Sequence, residues 1–210
     1  MELFEDLLFK GGGINIILCV AYVVSLIIIF ERFIFFTIKR GHYNTFMSTI
    51  RNQLENRDDH STEFNVTHLP YPQSFYFQLT DRYMRHRQFG PSEREKLVII
   101  FISECNVELQ RGQTALHIIG TLSPMLGLLG TMLGLVKSFR GIEAMGGSVD
   151  IQILAGGIWE AMLTTIAGLI VGIIALLALR IFQSRITLVT NRLEDLSLYL
   201  DVAINRVCST

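Results

Sequence analysis

Apolar residues are clumped along this chain. Ile14 to Phe30 runs without a formal charge, and after Glu31-Arg32 the apolar character resumes from Phe33 to Ile38. About 20 residues at ~1.5 Å rise cover a ~30 Å hydrocarbon core, so this stretch predicts a transmembrane helix over residues 14–36. Ala115 to Val136 is equally free of charge and predicts a second span over 114–139. A third apolar run ends at Leu179, just before Arg180, and predicts a span over 157–180. Glu31 and Arg32 stand near the end of the first span, where long side chains can snorkel to the interface.

The segments between the spans are polar and mostly helical in pattern. In the region 39–113, Tyr43–Leu54 and Gln73–Arg87 predict helices, the second amphipathic and ended by Gly90-Pro91. Residues 56–62 and Pro70-Tyr71-Pro72 predict loops. Ser92 followed by Glu95 predicts a capping box and the start of a long helix, with Leu97, Ile100, Phe101 and Val107 among its apolar positions. No Pro or Gly interrupts it before Gly112, and if continuous into the second span it would run roughly 70 Å. Residues 140–156 predict a loop, with Ser148 or Asp150 placed to cap the third helix. After the third span, Ile186, Val189, Leu193, Leu196, Leu200, Ala203 and Val207 alternate spacings of three and four. That heptad seam predicts a C-terminal helix over 181–210, packed on the chain's own soluble helices. The fold class is therefore an all-α integral membrane protein, with three transmembrane helices extended into long cytoplasmic helices.

Composition narrows the function classes. Charged residues make up 18% of the chain, below the ~25% typical of soluble proteins. The net charge of −1 gives no footprint for nucleic acid. Cys19, Cys105 and Cys208 lie far apart and the five histidines form no HxxxH pair, so no disulfide framework, metal site or cofactor is expected. Asn65-Val66-Thr67 matches a glycosylation sequon, a weak signal that the topology places inside. Residues 1–13 begin with Glu2, Glu5 and Asp6, unlike the basic start of a secretory signal.

Lys and Arg set the expected orientation. The segment 39–112 holds Lys39, Arg40, Arg51, Arg57, Arg82, Arg85, Arg87, Arg94, Lys96 and Arg111. The tail holds Arg180, Arg185, Arg192 and Arg206, whereas the start has only Lys10 and the loop 141–156 has none. The positive-inside rule puts residues 1–13 and the loop on the periplasmic side, and the middle region and C-terminus in the cytoplasm.

Two stripes of small residues mark the later spans. Gly120, Pro124, Gly127, Thr131, Gly134 and Ser138 follow one another at helical spacing on the second. Ala161, Thr165, Gly168, Gly172 and Ala175 do so on the third. Such stripes let membrane helices approach closely. Glu160 shares a face with Thr164, Ala167 and Val171, and Thr165 lies on the adjacent face. A carboxylate in a lipid-facing helix is disfavoured by ~3 kcal/mol at the bilayer centre, so it normally faces protein or water. Two placements remain open. Glu160 lies twenty residues before Arg180 and could snorkel to the outer interface. Alternatively, it occupies a protein-lined, partly dry interior where it can carry a proton. Thr164 and Thr165 have a plain structural use, bonding back to a carbonyl one turn earlier.

The stretches Ser123–Gly134 (SPMLGLLGTMLG) and Gly157–Leu169 (GIWEAMLTTIAGL), with Glu31-Arg32 after the first span, resemble the MotA/TolQ/ExbB proton-channel family, in its three-span ExbB/TolQ branch. The resemblance implies a homo-pentamer in the bacterial inner membrane, built around a dimer of single-span ExbD/TolR-like partners with a membrane aspartate. It implies a motor driven by proton motive force, with a TonB/TolA-like client as one possible recipient. By position it makes Thr131 and Thr165 pore-lining hydroxyls and Glu160 the pore carboxylate toward the outer side. Thr164 precedes Thr165 where the family often has a small residue, leaving open which hydroxyl faces the pore. Gly120, Pro124, Gly127, Gly134, Gly168 and Gly172 are the expected packing positions. Two other readings compete: a passive oligomeric scaffold, and an intramembrane enzyme. The enzyme reading lacks a base for Ser123, because His117, the histidine of that span, lies near its cytoplasmic end.

Overall fold

The computed structural model describes residues 12–39, 41–55, 69–144 and 151–208. Among these residues six helices follow in order: α1 (Gly12–Ile38), α2 (Tyr43–Glu55), α3 (Phe75–Arg85), α4 (Pro91–Gln110), α5 (Gln113–Ala144) and α6 (Ile151–Cys208). No strand occurs among the described residues. Among the described residues, three helical stretches are long and apolar enough to cross a membrane: Gly13–Asn52, Gln113–Glu143 and Leu154–Ala203. The segment 56–68 with its sequon, the caps Ser148 and Asp150, and residues 1–11 lie outside the described residues.

Two compact units form. One takes α1 as far as Glu31 together with Gly112–Phe182; the other takes Arg32–Arg111 and the chain from Gln183 onward. α1 and α6 each contribute to both.

The second unit is built like a soluble helical domain. Phe46 and Ile50 of α2, Phe75, Tyr76, Leu79 and Tyr83 of α3, and Phe101, Cys105 and Leu109 of α4 pack with Ile186, Leu193, Leu196 and Leu200 of α6. The heptad seam thus closes on the chain's own helices, as the apolar spacing predicts. Polar contacts fix the register. The Tyr83 hydroxyl donates to Asp201 Oδ1 at 2.7 Å, and the buried Arg94 guanidinium lies 3.1 Å from the same oxygen. Burial, and then the bond to Asp201, push the Tyr83 phenol above its ordinary range, so it stays a donor. Thr190 donates to Asn106 at 2.9 Å, and the Arg192 guanidinium stands 5.2 Å over the Tyr43 ring.

Four details differ from the sequence pattern. First, α4 begins at Pro91 with Gly90 as N-cap, not at a Ser92–Glu95 box. Proline at the first helical position has its φ pre-set and no N–H to satisfy, so Pro91 starts this helix. Glu93, not Glu95, accepts the Gly90 N–H at 3.3 Å. Second, the long helix breaks at Arg111–Gly112, where Gly112 takes φ +80°. A glycine reaches that left-handed conformation without the strain a Cβ brings, and it ends a helix readily. A Cβ at Gly112 would also stand 3.0 Å from Ile28 Cγ2. The buried Arg32 closes the end of α4, donating to the Glu108 carbonyl at 3.1 Å. Third, helix occupies 141–144 and 151–156, leaving the connection shorter than 140–156. Fourth, α3 starts after Ser74, whose hydroxyl accepts the Phe77 N–H, and ends at Arg85, well before Gly90.

Candidate functional site

The first unit centres on the antiparallel pair α5–α6. Its register is readable from what a side chain would meet at each glycine. A Cβ on Gly120 would lie 2.7 Å from Leu176 Cγ, and one on Gly172 would lie 2.7 Å from Pro124 Cγ. A Cβ on Gly168 would lie 2.5 Å from the Ser123 carbonyl oxygen, and one on Gly127 would lie 3.0 Å from the Thr164 carbonyl. Farther along, Gly130 meets Thr164, Gly134 meets Ala161, and Gly157 meets Ser138. All six packing positions expected from sequence therefore lie in one seam. Gly130, Gly157 and the buried Ser123 join it unannounced. Gly130 follows Gly127 by three residues, so helical spacing alone could have found it.

Close backbones bring the hydroxyls into play. The Thr165 hydroxyl crosses the seam and donates to the Gly127 carbonyl at 3.1 Å. In an α-helix that carbonyl also receives the Thr131 N–H. The Thr165 hydroxyl and the Thr131 backbone therefore share one oxygen, on one flank of the pair. Thr131 donates its own hydroxyl to the Leu128 carbonyl at 2.7 Å. Both residues are half-buried, and both hydroxyl oxygens can still accept a hydrogen bond.

Thr164 behaves differently. It is 2% exposed, sits over Gly130, and shares its hydroxyl between the Glu160 and Ala161 carbonyls at 3.0 Å each. This is ordinary back-bonding. Glu160 stands one turn before Thr164 on the same face of α6 and is half-buried. Since Gly134 faces Ala161, Glu160 lies level with about residue 135, just inside the charge-free stretch of α5 that ends at Val136. The next residue, Lys137, and then Arg140 are exposed at the end of α5. Counting cations by loop passes over both. Among the described residues, no group of three or more His, Cys, Asp or Glu is placed to hold a metal ion.

Buried polar positions also line α1: Asn15, Ser25 and Arg32 are each 3% exposed or less. Their spacing, with Leu18 between, makes them one helical stripe that the clumped apolar pattern hides.

The description of the MotA/TolQ/ExbB proton channel family matches residues 78–195, more than half of the chain, and encloses the whole α5–α6 seam. The chain belongs to that family. It is similar to the biopolymer transport protein exbB1 of Vibrio cholerae, 34% identical over 90 residues, covering 43% of this chain and 40% of the relative. It is also similar to the putative biopolymer transport protein ExbB-like 1 of Synechocystis sp., 44% identical over 78 residues, covering 36% of this chain and 31% of the relative. The chain thus spans well under half of the length of the relatives it matches. These similarities place the family member on the ExbB/TolQ-like branch.

Proposed function

We propose that the chain is a proton-conducting subunit of an inner-membrane complex that converts proton motive force into work on a partner. The observation that carries this reading is the Thr165 hydroxyl bonded across the seam to the Gly127 carbonyl, one turn before Thr131, with Glu160 five residues earlier on α6 and on the other flank of the pair. A threonine oxygen offers a hydrogen-bond partner to a carboxyl that gains and loses a proton, without adding charge. Thr165 supplies that oxygen; Thr164 is used up in packing and back-bonding. Glu160 is the carboxylate toward the outer end.

Between Ala115 and Val136 on α5 and between Gly157 and Leu179 on α6, Glu160 is the one carboxylate, no Lys occurs, and His117 lies near the far end, so a complete relay needs an acid from elsewhere. A dimer of single-span ExbD/TolR-like proteins with a membrane aspartate would supply it, enclosed by five copies of this chain. The N-terminus would be periplasmic and the C-terminus cytoplasmic. A TonB/TolA-like protein acting on the envelope would receive the work. At 100 mV each inward proton brings ~2.3 kcal/mol, plus its pH term.

Vesicles carrying the chain with its single-span partner test the proposal. Glu160→Ala and Thr165→Val should leave the complex assembled and lower partner-dependent proton uptake at least tenfold. Uptake equal to wild type in both variants would remove the site. The competing scaffold reading predicts instead that only substitutions in the glycine seam matter.

A further inference from the structure

At the outer end of the α5–α6 pair, α5 carries a cation that the proposed proton path does not use. Gly130 and Thr164 mark one flank of the pair, because a Cβ on Gly130 would lie 2.7 Å from Thr164 Cγ2. Outward along that flank, α6 presents Glu160 one turn beyond Thr164. On α5, Lys137 follows Gly130 by seven residues, two turns along nearly the same line. The register fixes their depth. Gly134 faces Ala161 and Ser138 faces Gly157, so Lys137 is level with about residue 158. It therefore lies two residues, about 3 Å, outward of Glu160. The Thr131–Thr165 meeting point lies on the opposite flank.

We infer that Lys137 is the positioning residue for Glu160: its ammonium draws the Glu160 side chain along the seam toward the end of α5 from which a proton would arrive. Several features fit. Lys137 is the first charged residue after the apolar stretch of α5, and its side chain is exposed. Among the described residues, no ion pair holds the Lys137 ammonium away from Glu160. A flexible four-carbon stem lets it reach inward. Opposite charges at the edge of an apolar layer attract far more strongly than in bulk water. Arg140 and Glu143 stand three and six residues farther out, too far along α5 to be the first cation or the first acid that Glu160 meets.

This inference rests on the proposed proton path, so its test is a double-mutant cycle read in two ways on the complex with its partner. Lys137→Met should lower proton uptake by vesicles several-fold in the wild-type background and have no added effect on Glu160→Gln. Lys137→Arg should restore most of the loss. In parallel, the melting temperatures of the four purified complexes should be non-additive, which reports pairing whether or not the complex conducts. Additive melting temperatures, or an equal loss of uptake in both backgrounds, would overturn the pairing. An additive effect that depends on anionic lipid would assign Lys137 to a headgroup phosphate instead. Absent uptake by the wild-type complex, with melting still non-additive, would sink the proton path and leave the pairing standing.

Discussion

At the scale of single residues, neighbouring threonines have different fates. Thr164 and Thr165 are indistinguishable in composition, and sequence alone allowed back-bonding for either. What separates them is which side of α6 meets α5: Thr164 lands on Gly130, Thr165 beside Gly127. That depends on the approach of a second helix, which no local pattern contains. Thr165→Val, losing the 3.1 Å cross-seam bond, should cost about 1 kcal/mol of complex stability and most of the proton uptake. Thr164→Val, nearly isosteric in its packing, should leave uptake close to wild type. Parallel flux and thermal-melting measurements on the two variants check this difference.

Cys105 makes a second residue-scale case. Burial, and then the nearby carboxylates of Glu108 and Glu104, push its thiol from an ordinary value of 9.0 up to about 12. Because the folded state holds the proton more tightly, the thiol's contribution to stability is intact below pH 9 and is lost as pH rises toward 12. At pH 8, maleimide should label Cys105 only after denaturation. Rapid labelling of the folded protein would show that the second unit is not packed as described.

Among the helices, apolar periodicity carried most of the information. Three long apolar helices occur among the described residues, and the seam from Ile186 to Leu200 packs on the chain's own helices, because burying a stripe requires that spacing in any helix. The breaks were harder to see. Ser92 and Glu95 have the right residues for a cap, but Pro91 has its φ fixed one position earlier and takes the start. Ser92→Ala should therefore change stability by no more than about 0.5 kcal/mol, whereas loss of a true cap costs ~1 kcal/mol. A denaturant titration of the purified protein decides between them. The glycine seam admits less tolerance. A Cβ on Gly168 would already stand 2.5 Å from the Ser123 carbonyl, which belongs to the backbone and cannot swing aside. Gly168→Leu should prevent α5 and α6 from pairing and sharply reduce the amount of folded protein recovered from membranes. Gly13→Leu, which has open space around its Cβ position, should not.

For the whole molecule, three apolar spans and lopsided cations gave an architecture and an orientation before any coordinates. The six helices and their division into an apolar unit and a soluble-like unit agree with that architecture. The placement of Glu160 was not legible, because its distance from Arg180 fits an interface position as well as an interior one. Register against α5 places it just inside the apolar stretch, half-buried beside a close-packed seam. The proposed orientation leads to a protease expectation: in right-side-out vesicles the region 39–113 should resist an added protease, and in inverted vesicles it should be cut.

The most direct measurement is partner-dependent proton uptake by vesicles, comparing wild type with Glu160→Gln at matched amounts of assembled complex. A carboxylate on the proton path predicts at least a tenfold drop with the assembly unchanged. Wild-type uptake by Glu160→Gln, alongside collapse in Gly168→Leu, would contradict that claim and leave the chain a scaffold.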